Sequence, residues 1–244
     1  MRGLLHLGLA AGVGLALWQG IVWATDLPPF ILPGPDRVAR TMIDSAAVLA
    51  GQAGFTALNL AVGMAAGVAL GIVTALQLAL SPGARLLVRP LLVFAQAVPV
   101  FALAPIITLW LGYGAPSKIV MVALVIYFPV TSALFDGLMR LPPGLEDLAQ
   151  ALQARPLRKL VLLQLPNALP ALGSGLRLAA VYAPFAVVVG EWVGSSRGLG
   201  YLMLMANGRG QTDLMFAALI VLAGMSVTLF FAIDRLARRW GREA

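Results

Sequence analysis

Apolar runs long enough to cross a lipid bilayer, separated by short polar turns, constrain this chain more than any other feature. Gly3–Ala24 is one unbroken run behind Arg2, and Gly54–Leu80 is another. A third ends near Leu111, followed by Ile119–Leu138, Leu169 to about Trp192, and Asp213 or Leu214 to Leu236. About 20 apolar residues span the hydrocarbon core as a helix. The chain therefore reads as an all-α membrane protein with six transmembrane helices. With 60% hydrophobic and 11% charged residues and a mean hydropathy of +0.92, an ordinary soluble domain is excluded. Val22-Trp23-Ala24 loosely mimics a cleavage site, but the run before it is long for a signal core and reads as a retained span. Trp18 and Trp23 then lie toward the outer interface.

Charge gives orientation. Of the 17 Lys and Arg, eleven fall in segments expected inside: Arg2, Arg85, Arg89, Arg140, Arg155, Arg158, Lys159, Arg235, Arg238, Arg239 and Arg242. Five, Arg37, Arg40, Lys118, Arg197 and Arg209, fall outside, and Arg177 lies within a span. This asymmetry puts both termini in the cytoplasm. It also accounts for the net charge of +7 without nucleic acid, because the basic residues form no single patch with aromatics. With no Cys and one His, His6, disulfides, thiolate metal sites and a histidine-based active site are not expected. Ser174 and Ser195 have no histidine within reach. No span carries the acid, base or metal cluster of a proton-driven carrier or intramembrane enzyme, and no cofactor or metal is expected. The phosphate-binding loop Gly-x-x-x-x-Gly-Lys-Ser/Thr is missing too, so energy must come from another protein. A secondary carrier or channel remains the alternative class.

Along the chain, three parts are expected: 1–53, the first span and an external segment with a surface helix near Pro35 and Asp36; 54–236, the core; and 237–244, a tail. Gly63, Gly67 and Gly71 at four-residue spacing mark a face for close helix packing. Pro90, Pro99 and Pro105 interrupt the third span, so Gln96, Pro99 and Thr108 either wall a pathway or belong to a kinked packing helix. Tyr127 and Thr131 are further pathway candidates. Arg177 is expected to pair with Asp136, at similar depth on the preceding span. Glu191, about 21 Å from Arg177 along one helix, is either a gate or binding-protein contact, or an interfacial carboxylate bonded to backbone of the Gly194–Gly200 turn. Tyr201–Met205 reads as a short external helix, with Met203 and Met205 in packing roles.

The longest polar interruption in the second half, Glu146–Pro166, reads as a pair of short amphipathic helices on the cytoplasmic surface. Leu145, Leu148, Ala149 and Leu152 share a face. Pro156 starts the second helix and Pro166 ends it. Asp147-Leu148-Ala149, then Gln153, then Leu163, Leu165 and Pro166 resemble the motif Glu-Ala-Ala, three residues, Gly, nine residues, Ile-x-Leu-Pro of permease subunits of bacterial ATP-binding-cassette importers. Leu165–Pro170, Gly175-Leu176-Arg177, Gly190-Glu191 and Gly198-Leu199-Gly200 resemble the branch importing nitrate, sulfonates, taurine and thiamine-pyrimidine precursors. The resemblance covers roughly residues 50–235. It implies a type I importer permease working as a homodimer in the inner membrane, with two ATPase subunits docking on coupling helices at 145–166 and a periplasmic substrate-binding protein. Gln211–Phe216 tilts the substrate toward a thiamine pyrimidine precursor over sulfonates, taurine or nitrate. Asp147 replaces Glu at little cost. Gln153 replaces Gly, so it either extends the first helix or accepts left-handed strain.

Overall fold

The structure, a computed structural model, describes residues 2–240, without the side chains of a few residues near the start and within 89–97. Its helices are α1 (Arg2–Thr25), α2 (Pro35–Asp44), α3 (Ala46–Leu80), α4 (Pro82–Ala97), α5 (Val100–Leu111), α6 (Ala115–Met139), α7 (Pro143–Ala151), α8 (Pro156–Lys159), α9 (Leu165–Gly194), α10 (Leu199–Gly208) and α11 (Thr212–Trp240). Four long apolar helical stretches, Ala46–Leu80, Ala115–Met139, Pro156–Gly194 and Thr212–Arg239, each suffice to cross a bilayer. The 24-residue α1 and the broken pair α4–α5 complete the six. The third span is two helices rather than one kinked helix, separated at Val98 and Pro99, where Pro99 caps α5 in an extended conformation. Proline there can donate no backbone hydrogen bond to continue the turn.

The core is a sandwich of α3, α6 and α9. Its centre is formed by Leu60 and Met64 of α3, Ile126, Val130 and Leu134 of α6, and Leu172, Leu176 and Val187 of α9. The three α3 glycines face α6: a Cβ on Gly63 would lie 2.9 Å from the Ile119 carbonyl oxygen, and one on Gly67 2.7 Å from that of Ala123. Gly175 of α9 meets α6 from the other side, where its Cβ would lie 2.9 Å from the Pro129 oxygen. Helices surrounded by lipid gain little from hiding apolar surface, so close backbone approach supplies the dispersion contacts that hold them together.

A second, outer cluster centres on Val38, Leu49, Leu199, Ala217 and Ala218. Trp18 of α1 reaches it, donating from Nε1 to the Pro33 carbonyl at 3.1 Å and stacking on Phe216 at 5.5 Å. Asp213 holds α2 to the start of α11, accepting from Thr41 at 3.1 Å and Arg37 at 3.4 Å. Met203 packs here, in the expected short helix, now α10.

The polar interruption differs from its sequence reading at one end. Pro166 does not end the second helix. Helical structure runs from Pro156 through a π turn, Leu160–Gln164, and on to Gly194. The Leu165 N–H reaches back to the Leu160 carbonyl. This wider turn just before the proline relaxes the ladder where a ring without N–H must enter, and one rod of 39 residues results. At the other end, Gln153 accepts the left-handed conformation, φ 48°. The Ala154 N–H donates to the Ala149 carbonyl at 2.9 Å and the Gln153 N–H to that of Gln150 at 2.9 Å, the two bonds of a Schellman turn. Exchanging Gln153→Gly is therefore expected to stabilise the turn by about 1 kcal/mol. A rise in the melting temperature of the purified protein checks it; a fall would show that Gln153 makes a compensating contact.

Candidate functional site

Three regions carry the polar and exposed groups that the packing of the helices leaves over. The first is the element α7–α8 between two spans. Glu146 accepts from Lys159 Nζ at 2.6 Å, joining the start of α7 to the end of α8. That hydrogen bond holds the Glu146 carboxyl below its usual range, so the pair persists until the pH falls through the lowered value. Leu148, Leu152 and Leu157 project outward at 46%, 70% and 61% exposure. Asp147 and Gln153 are exposed beside them, Leu163 and Leu165 are half-buried, and Pro166 is exposed. Ala149, by contrast, is buried at 4%. The result is an apolar strip rimmed by charge on an element fixed at both ends, a surface suited to a protein partner.

A second region is a cavity of about 620 Å³ bounded by the α4–α5 break, α6 and α9. Val98 to Phe101 form one wall, Phe128, Pro129, Ser132 and Asp136 a second, and Leu178, Tyr182 and Phe185 a third. Thr131, Ser132 and Asp136 also line a smaller adjoining cavity of about 110 Å³. Of the pathway candidates, Pro99 borders the larger cavity, while Thr131 is fully buried beside the smaller one and donates to the Tyr127 carbonyl at 2.7 Å. Tyr127 instead donates to Thr74 Oγ1 at 3.0 Å, tying α6 to α3. Thr108 is buried against Gly194. The side chain of Gln96 lies outside the described residues.

The expected pair of Asp136 with Arg177 is not formed. Arg177 Nε donates to Asp234 Oδ1 at 2.8 Å, and Arg238 donates to the other oxygen at 2.7 Å. Depth along a helix follows from residue count, but α9 turns Arg177 toward α11, where Gly173 also meets Ala237.

Glu191 lies in the third region, fully buried. It accepts from Thr56 Oγ1 of α3 at 2.8 Å and from the Gly200 N–H at 2.7 Å, at the start of α10. Thr56 in turn accepts from the Leu199 N–H at 2.8 Å. Gly198, at φ 112°, must be glycine, because a Cβ would overlap the carboxylate. Lys118 is also fully buried and donates to Ser117 Oγ and the carbonyls of Tyr113 and Gly194, close enough to attract Glu191 through the interior. Sequence reading counted Lys118 as an outer-loop charge; its place two residues after Pro116 gave no sign of burial. The backbone-bonded form of the Glu191 expectation has its partner in the Gly200 N–H, with Thr56 added, but the carboxylate is buried rather than interfacial. No group of three His, Cys, Asp or Glu able to hold a metal ion occurs among the described residues.

Comparison with known proteins adds what geometry alone leaves general. The chain is 47% identical over 232 residues, 95% of each protein, to one from Haemophilus influenzae named "Probable ABC transporter permease protein". It is 33% identical to the formylaminopyrimidine transport permease protein ThiX of Halalkalibacterium halodurans, over 85% of this chain and 84% of that one. In fold it resembles a chain of the MetNI methionine ABC transporter, solved in inward-facing conformations. The TM-score is 0.68 at 22% identity, covering 81% of this chain and 98% of that one. Residues 67–242 match the model of the binding-protein-dependent transport system inner membrane component. That stretch contains the cavity, the α7–α8 element and the buried Glu191, and with it the chain belongs to this family as a permease subunit of ABC importers.

Proposed function

We propose that two copies of this chain form the membrane pathway of an ATP-driven importer whose cargo is a thiamine pyrimidine precursor delivered by a periplasmic binding protein. Two ATPase subunits dock on the α7–α8 elements, which face the cytoplasm with both termini. The carrying observation is mechanical. An exposed apolar strip on α7 and the start of α8 is braced by the Glu146–Lys159 pair and the Schellman turn, and from Pro156 the same element runs on as a rod reaching Gly194. At 1.5 Å per residue that rod is about 58 Å long. Movement imposed at its inner end is therefore felt at the cavity walls Tyr182 and Phe185 and at Glu191. In this reading Asp147, Leu148, Ala149, Gln153, Leu163, Leu165 and Pro166 form or brace the coupling element. Pro99 and Thr131 flank the pathway, and Glu191 holds its outer end. The likeness to ThiX supports the pyrimidine.

Proteoliposomes containing the chain, its ATPase and its binding protein test this reading. ATP-dependent accumulation of radiolabelled formylaminopyrimidine is expected, with none when ATP is omitted. Uptake without ATP would make the chain a secondary carrier. ATP-dependent uptake of taurine, a sulfonate or nitrate in place of the pyrimidine would move it to that part of the branch.

A further inference from the structure

The cavity between the α4–α5 break, α6 and α9 holds one carboxylate in a wall that is apolar and aromatic apart from the hydroxyls of Ser132 and Tyr182. Asp136 stands where the large space joins the small one. The lining contains no lysine or arginine. Among the described residues Asp136 has no ion pair, and the arginine expected to neutralise it is held by Asp234 at 2.8 Å. Helix ends do not supply the missing charge either. The C-terminal end of α4 and the N-terminal end of α5 meet at the same break, so their opposite end charges offset one another. Asp136 lies one turn from the inner end of α6, which closes at Met139, and a carboxylate left there without a counter-charge points to function.

We infer that this cavity is a transit site for a planar heteroaromatic ring bearing an amino or cationic group, and that Asp136 determines its specificity. This rests on the reading of the chain as an importer permease. Phe128, Tyr182 and Phe185 offer ring faces and edges for stacking. The volume of about 620 Å³ suits a small organic molecule. A carboxylate there accepts a hydrogen bond from an exocyclic amine or attracts a ring cation. The same group repels nitrate and the sulfonate of an alkanesulfonate that carries no amino group, since a low dielectric strengthens like-charge repulsion. Selection by the external binding protein is thus followed by a second, electrostatic selection at the inner end of the pathway.

Equilibrium binding of radiolabelled formylaminopyrimidine and of ethanesulfonate to the permease–ATPase complex in nanodiscs, without binding protein, reads this selection directly. The wild type is expected to bind the pyrimidine in preference to ethanesulfonate. Asp136→Asn should weaken pyrimidine binding about tenfold, the loss of one charge-assisted hydrogen bond, and Asp136→Glu should restore most of it. In proteoliposomes with the binding protein, Asp136→Asn should lower pyrimidine uptake while ATPase co-purification stays at the wild-type level. Equal binding and uptake by wild type and Asp136→Asn, with the wild type importing the pyrimidine, would overturn the role of Asp136 and leave the importer reading standing. Import of taurine but not of the pyrimidine by the wild type would overturn the substrate reading, and the cavity's assignment with it.

Discussion

Exchanging Leu148 and Leu152 together for glutamate is expected to leave the chain folded and membrane-inserted while its affinity for the ATPase subunit falls at least about 100-fold. Both side chains are already exposed, at 46% and 70%, so charging them costs the isolated chain little. Scaled to those exposed fractions, the two leucines withdrawn from an apolar groove together forfeit about 1.7–3.5 kcal/mol. A factor of 100 needs about 2.7 kcal/mol, within that range, and burying two unpaired carboxylates adds to the loss. Co-purification from membranes, with membrane insertion as control, measures the effect. Undiminished recovery of the ATPase would remove the coupling assignment. Placing arginine at Ala149 is a different experiment. That residue is 4% exposed and its carbonyl accepts the Ala154 N–H, so a large side chain there would disturb the Schellman turn before it reached any partner.

Much of this element was legible in the sequence because its signals are local. The Leu145, Leu148 and Leu152 periodicity, the breaker Pro142-Pro143-Gly144 and Pro156 at a first turn all act within a few residues. The six crossings were legible for a similar reason, since hydropathy and length depend only on composition within each run. Failures came where rotation about a helix axis, or a rare backbone geometry, decided the outcome. Pro166 is a helix breaker in an ordinary ladder, and only the π turn at Leu160–Gln164 lets the rod continue through it. Asp136 and Arg177 lie on helices that pack together, yet their side chains point to different neighbours. Tyr127 and Thr108 looked like pathway polar groups for want of visible partners, which turned out to be Thr74 and packing against Gly194. Phe128, Tyr182 and Phe185 were overlooked because an aromatic facing a cavity and one facing lipid leave the same trace in a sequence.

Glu191→Ala is expected to destabilise the protein by about 1–3 kcal/mol for each buried donor left without its acceptor. Lys118 would keep its carbonyl partners but lose a carboxylate that acts on it through the interior. The Gly200 N–H and the Thr56 hydroxyl would lose an acceptor at the same time. Glu191→Gln retains an oxygen for these donors and should cost distinctly less. Removing the charge from Lys118 as well, in Lys118→Met with Glu191→Gln, should recover part of the remaining loss, because neither ion is then buried alone. Thermal unfolding of the purified variants separates these cases. If Glu191→Ala melts with the wild type, the cluster is not holding α3, α9 and α10 together. If the double variant is stable but transport stops, the charges serve the alternating motion of the outer end rather than its folding. The two results differ because a buried charge without its partner weakens one state of the protein, whereas a gate requires the partnership to break and re-form in every cycle.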